Sequence, residues 1–134
     1  MPLVADRDTP YRTGEDQSDP VKGATKIFAG SLVCLDANGW AVPGATATTL
    51  KARGRAEEQA DNSGGADGAE AVRTRKGVFR FKNSGADPID RSHIEGTAYI
   101  VDDETVAATN GTNTRSAAGK IVDLDAAGVW VEIR

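Results

Sequence analysis

A hairpin that occurs twice constrains this chain more than any other feature. Leu32-Val33-Cys34-Leu35-Asp36-Ala37-Asn38-Gly39-Trp40-Ala41-Val42 aligns without gaps on Ile121-Val122-Asp123-Leu124-Asp125-Ala126-Ala127-Gly128-Val129-Trp130-Val131, with six identities in eleven positions. Both copies place Asp at the turn entrance and Gly three residues later. That spacing suits a type I turn closed by a left-handed residue and a bulge. Two copies are too few for a solenoid, which needs at least about three. The expectation is therefore an all-β domain, a small barrel or sandwich that uses one hairpin twice.

The apolar content sets how firmly such a domain can hold together. Leu, Ile, Val and Phe supply only 25 of 134 residues, and the formal charge is -4. A core this thin is marginal alone, which favours an oligomer or a host surface as part of the native state. Val (11) outnumbers Leu (5), tilting the backbone toward strands, because β-branched side chains lose χ1 freedom in helices. No stretch approaches the roughly 18 apolar residues of a membrane span. Charge also stands where a secretory signal would carry its hydrophobic segment, so no export through a signal peptide is expected.

Around the repeated hairpins the elements follow from local pattern. Residues 1–25 lack periodicity and scatter Pro2, Pro10 and Pro20 among Asp6, Arg7, Asp8, Arg12, Glu15, Asp16, Asp19 and Lys22. They read as an extended N-terminal arm preceding a single β domain over 26–134, with regular structure starting at Lys26. Leu3, Val4, Tyr11 and Val21 are spaced along this arm as isolated apolar anchors. An arm with so little apolar surface orders only on a partner, so removing residues 2–20 should leave the melting temperature of the domain unchanged. Residues 27–35 are apolar on both strand faces, and 50–59 and 70–82 read as strands separated by a Gly-rich loop over 60–69. Val72 and Thr74 have opposite parity to Phe79 and Phe81, and a β-bulge near Lys76-Gly77 accounts for the flip. Asp87-Pro88 opening and Gly96 closing a short segment suggest one short helix or 3₁₀ turn capped by Asp87. Residues 98–108 form a hairpin with the acidic turn Asp102-Asp103-Glu104, and 120–133 the closing hairpin, with Val129, Val131 and Ile133 inward.

Few residues invite chemistry. His93 is the single histidine, so a histidine dyad or His-rich metal site cannot be assembled from one chain. Cys34, the single cysteine, lies in an apolar run and reads as a buried structural thiol. No phosphate loop, nucleophile elbow or dinucleotide fingerprint is present. Asp61 with Asp67, and Asp102-Asp103-Glu104, lack the ligand spacing of a known Ca²⁺ loop and read as solvated turn acids. No catalytic residue, cofactor, metal or small-molecule substrate is expected. Arg73, Arg75, Lys76, Arg80 and Lys82 put five positive charges into ten residues. They read first as a solvated strand face that resists edge-to-edge pairing, and second as a docking patch for an acidic protein surface. The acidic balance and the absence of interleaved aromatics argue against nucleic acid.

Lys26-Ile27-Phe28-Ala29-Gly30-Ser31-Leu32-Val33 with its Asp-x-x-Gly turn resembles the small phage capsid cement proteins. The likeness continues through Gly54-Arg55-Ala56, the loop 61–68, Gly77-Val78-Phe79-Arg80-Phe81, Gly96-Thr97-Ala98-Tyr99-Ile100-Val101-Asp102-Asp103 and Ala118-Gly119-Lys120-Ile121-Val122. The resemblance implies a tulip-like β knob without enzymatic activity on the outer surface of a virion. Its partner would be the major capsid protein of a tailed phage, and it would form a homotrimer at three-fold points. Under this reading the capsid-binding candidates are Leu3, Val4, Tyr11, Arg12, Val21, Arg73, Arg75 and Lys76. The alternative is an interaction module on the phage tail or baseplate.

Overall fold

The computed structural model describes residues 2, 4–9 and 14–134. Among these the chain is all-β, with twelve strands and one 3₁₀ turn, Arg91–His93. Strands β1 (Asp16–Pro20), β3 (Leu32–Leu35), β4 (Ala41–Pro43), β5 (Lys51–Ala56) and β7 (Ala71–Arg75) form a sheet in the order β1-β7-β5-β3-β4. Strands β8 (Gly77–Asn83), β9 (Thr97–Ile100), β10 (Thr105–Ala107), β11 (Ala117–Asp125) and β12 (Gly128–Ile133) close a barrel in the order β10-β8-β12-β11-β9. A two-stranded ribbon, β2 (Thr25–Ile27) with β6 (Ala60–Asn62), completes the fold. Every pairing between these strands is antiparallel except β10 with β8.

β3 explains why residues 32–35 are apolar on both faces. Leu32 and Cys34 point into a core shared with the barrel residues Phe81, Ile100, Ile121, Val129 and Val131. Val33, with the opposite parity, packs into a second core with Val21, Ile27, Ala56 and Val72. A strand between two cores must be apolar throughout, whereas one with a solvated face alternates. As expected, Val129, Val131 and Ile133 point inward, at most 2% exposed.

The parity flip at Lys76-Gly77 has a different cause from the expected bulge. β7 ends at Arg75 in the sheet and β8 begins at Gly77 in the barrel, so the chain changes sheets at Lys76. Val72 and Thr74 are buried by the sheet and Phe81 by the barrel. The two apolar phases obey two cores. Bulges lie elsewhere, one in β5 opposite Val33 and Cys34 and another in β11 between Ile121 and Asp123.

The repeated motif is used once in each unit, with two loop geometries. In the first copy Asp36 N–H donates to Trp40 O at 2.9 Å, Gly39 N–H donates to Asp36 O at 2.9 Å, and Gly39 has φ +85°. That is the expected three-residue loop closed by a left-handed glycine. In the second copy Asp125 pairs directly with Gly128 across a shorter loop, and the slack is taken up by the bulge at Val122. In both, the Asp carboxylate caps the turn: Asp36 Oδ1 accepts from Asn38 and Trp40 N–H, and Asp125 Oδ1 from Ala127 and Gly128 N–H.

Regular structure starts at Asp16 rather than Lys26. β1 pairs with β7 along its whole length, Asp16 opposite Arg75 and Pro20 opposite Ala71. Val21 then bridges Ala41 on the far edge strand β4, which curls the sheet around the second core. Asp-Gln-Ser-Asp-Pro has no apolar alternation to announce a strand; its order comes from a partner strand and an ion pair. The second correction concerns Ala60–Asn62, which pairs with Thr25–Ile27 instead of belonging to the loop. In the third, Asp90 rather than Asp87 caps the 3₁₀ turn, through a reciprocal capping box with His93. Asp87 instead gathers the 109–115 loop: its Oδ2 accepts from Thr109 Oγ1 at 2.6 Å, Thr109 N–H at 3.0 Å and Arg115 Nη1 at 2.8 Å.

Candidate functional site

The sheet change at Lys76 divides the five positive charges. Arg73 and Arg75 project from β7 in the sheet, while Arg80 and Lys82 project from β8 in the barrel. β7 lies between β1 and β5, so its charges guard no edge. Most are compensated. Arg73 pairs with Glu58 at 3.3 Å, Arg75 with Glu15 at 3.5 Å and Lys82 with Glu104 at 2.8 Å, while Arg80 lies over the Trp130 ring at 5.7 Å. Glu58 raises the pKa of Arg73, and Glu104 raises that of Lys82. Lys76 is half-buried, and its backbone N–H donates to Glu15 O at 2.7 Å. The result is a mixed-charge surface.

The N-terminal candidates separate. Leu3, Tyr11 and Arg12 lie outside the described residues. Val4 is 92% exposed, and the hydrogen bonds described for residues 4–9 stay within the segment, between Arg7 and Thr9. Val21 is not a surface anchor in this fold. It is fully buried, because the bridge to Ala41 turns it into the second core.

The groups considered for chemistry serve the fold. Asp90 N–H donates to His93 Nδ1 at 2.9 Å, so that ring nitrogen is engaged in capping the 3₁₀ turn. Cys34 is buried, and loss of solvent pushes its thiol up to about 12. A thiol held so high supplies little nucleophilic thiolate near neutrality. In the 61–68 loop, Asp61 accepts from Ser63 and is held low by that bond, while Asp67 Oδ1 accepts from Gly23 N–H at 2.8 Å. The inward carbonyls of Val21, Lys22 and Ala66 converge on Asn62 Nδ2, which fills the space a cation would need. Among the described residues no group of three or more His, Cys, Asp or Glu side chains is placed to hold a metal ion.

Sequence reasoning missed a corner where sheet and barrel meet. Phe28, Ala29, Gly30, Ser31, Asp103 and Glu104 line an open space of about 420 Å³. Phe28 belongs to the run read as a buried strand, but β2 ends at Ile27, and Phe28 is 57% exposed. Gly30-Ser31, read as part of that strand, was the signal of a turn. Both walls are fixed by backbone bonds: Gly30 N–H to Ala56 O at 2.9 Å, Leu32 N–H to Asp103 O at 2.8 Å and Lys82 N–H to Glu104 O at 2.7 Å. Glu104 is paired with Lys82, whereas among the described residues no cation pairs with Asp103. Burial first, then the neighbouring Asp102 and Glu104, raises the Asp103 pKa above the ordinary carboxylate value. Comparison with known proteins returns nothing for this arrangement: no family model, no curated protein and no solved structure matches the chain.

Proposed function

We propose that this chain is a structural virion protein that binds the exterior of an assembled phage head and stabilises it, without enzymatic activity. The observation that supports this reading is a double-core β body whose first strand is preceded by a segment with an almost wholly exposed Val4. Such a body suits a fixed knob, and such a segment suits reach toward a neighbouring subunit. The physical basis is linkage. A ligand that binds only the assembled shell lowers the free energy of that shell relative to its burst state. Many identical weak contacts around a closed lattice add up, so each copy needs only modest affinity. Three-fold positions on the lattice suit a homotrimer, since closed cyclic symmetry satisfies every equivalent contact.

Gel densitometry of purified particles from the phage that encodes the chain tests this. Copies in the hundreds, on the order of the number of capsid subunits, are expected. A handful per particle would transfer the protein to the tail or baseplate, and its absence from particles would end the virion reading.

A further inference from the structure

The fold uses one device twice to hold arginine. Arg55 stacks over the Phe79 ring at 4.6 Å while its Nη2 donates to Glu57 at 2.6 Å. Arg80 lies over Trp130 at 5.7 Å, and the same indole donates through Nε1 to Asp125, whose carboxyl is held low by that bond first and by the Arg80 charge to a lesser degree. Each site combines an aromatic face with a nearby carboxylate. A planar guanidinium suits both partners, because it stacks on the ring and forks toward the carboxylate. The corner between sheet and barrel is likewise lined by an aromatic residue and an acid, Phe28 and Asp103, with no arginine among its lining residues. Lys26 lies over Phe28 at 5.1 Å and pairs with Asp61 across the ribbon, yet Phe28 remains more than half exposed.

We propose that the Phe28–Asp103 corner is a docking site for an arginine side chain carried by a partner polypeptide. Its walls are already fixed by the backbone bonds of Gly30, Leu32 and Lys82, so little ordering is lost on binding. The charge is complementary, since Asp102, Asp103 and Glu104 crowd one hairpin tip and only Glu104 is matched by an internal cation among the described residues. Burial first, then the like charges of Asp102 and Glu104, raise the Asp103 titration, and an incoming cation would offset the latter. An incoming guanidinium supplies that charge, and the rest of the Phe28 ring is covered in the same step. Arginine is favoured over lysine because an ammonium cannot stack flat on the ring and fork to the carboxylate together.

The isolated full chain is sufficient for the test, so the outcome is independent of the head-binding reading. The probe is acetyl-glycyl-arginyl-glycinamide, titrated into ¹⁵N-labelled protein, with the citrulline peptide as a neutral isostere. Saturable shifts are expected on the amides of residues 28–32 and 103–104, with no matching response to citrulline. Asp103→Asn should weaken binding about fivefold, the upper range for an incompletely buried ion pair. Phe28→Ala should weaken it about threefold, as loss of an exposed cation–π contact does. Glu70→Gln, at an exposed acid away from the corner, should change nothing. The unshifted part of each spectrum reports whether the variant is folded. Absence of saturation, equal shifts with citrulline, or unaltered binding by folded Asp103→Asn would each overturn the proposal.

Discussion

Arg53 and Asp19 meet as a two-pronged ion pair, Nε donating to Oδ2 at 2.7 Å and Nη2 to Oδ1 at 3.2 Å. Arg53 is the extra residue of the β5 bulge: Gly54 pairs with Val33 and Ala52 with Cys34, leaving Arg53 without a partner on β3. A bulge re-aims the side chain it carries. Here the guanidinium reaches over to β1 and ties the first strand of the fold to a strand it does not hydrogen-bond. Both side chains are mostly buried, at 27% and 14% exposure, so the pair is less screened than the surface pairs around it. Asp19→Asn and Arg53→Met should each destabilise the protein by about 2 kcal/mol, the scale of a charge-assisted hydrogen bond lost at a partly buried site. The double variant should cost less than the sum, because neither charge is then stranded. Urea denaturation of the four proteins measures the coupling; additive losses would show that the pair does not hold β1.

Truncation separates the leading segment from the fold. Deleting residues 2–9 should leave the melting temperature unchanged, since the bonds described for 4–9 stay within that segment. Deleting residues 2–20 removes β1, uncovers the edge of β7 and strands Arg53. A loss on the order of 4 kcal/mol is expected, in the range reserved for broken buried networks. Thermal melts of both truncations decide the matter, and equal melting temperatures would return β1 to the role of a dispensable arm.

Acid should loosen the 109–115 loop. Hydrogen bonds from Thr109, and then Arg115, hold the Asp87 carboxyl below its ordinary value of 3.8. A carboxyl depressed in the folded state contributes stability that is fully present above its unfolded pKa and lost as pH falls through the folded one. Asp103, shifted upward, works in the opposite direction and favours the folded state as it takes up its proton. Asp87→Asn should therefore lie about 1 kcal/mol below the parent protein near neutrality. The gap should close as pH falls below the unfolded value and through the depressed folded one, where both proteins carry a neutral group. Urea midpoints across this range test the sign, and a gap that widens in acid would refute it.

Cys34 should be silent toward thiol reagents in the native protein and react only as the chain unfolds. The buried, elevated thiol has neither access nor thiolate to offer. Labelling rates should follow the unfolding equilibrium as urea is raised. Cys34→Ala should cost about 1–2 kcal/mol, the price of a small cavity. Fast labelling of the native protein would mean that the core between sheet and barrel opens readily.

At Gly119 the backbone of β12 leaves no room for a side chain on β11. A Cβ there would lie 2.2 Å from Glu132 O, a backbone atom that cannot swing away. Gly119→Ala should cost about 3 kcal/mol through forced backbone displacement. Gly85→Ala, with nothing within 4 Å of the added carbon, is the neutral comparison. Equal melting temperatures for the two would show that the barrel yields at this point.

Much of the fold was legible because it depends on local pattern. Asp-x-x-Gly turns, the alternation of Val129, Val131 and Ile133, the apolar surroundings of Cys34 and the hairpin around Asp102-Asp103-Glu104 are properties of a few adjacent residues. Their periods report which side chains are buried whichever sheet they join. Sheet membership is not local. Nothing in Lys76-Gly77 tells whether a parity flip is a bulge or a passage from sheet to barrel; that depends on strands distant in the chain.

The same division separates the candidate residues. Exposure of Arg73 and Arg75 follows from alternation, so their place on the surface could be read directly, whereas their pairing with Glu58 and Glu15 required strands to be laid side by side. Val21 looked like a lone anchor on a polar arm, and Phe28 like the start of a buried strand. The fold exchanged them: the bridge to Ala41 buries Val21, and the turn after Ile27 leaves Phe28 at the rim beside Asp103. Asp16–Pro20 shows the limit most clearly. The chain by itself determined an all-β fold with hairpins at defined places. Only tertiary structure made a strand of five residues without an apolar side, because its stability lies in the main-chain bonds of β7 and the charge of Arg53 rather than in its own composition.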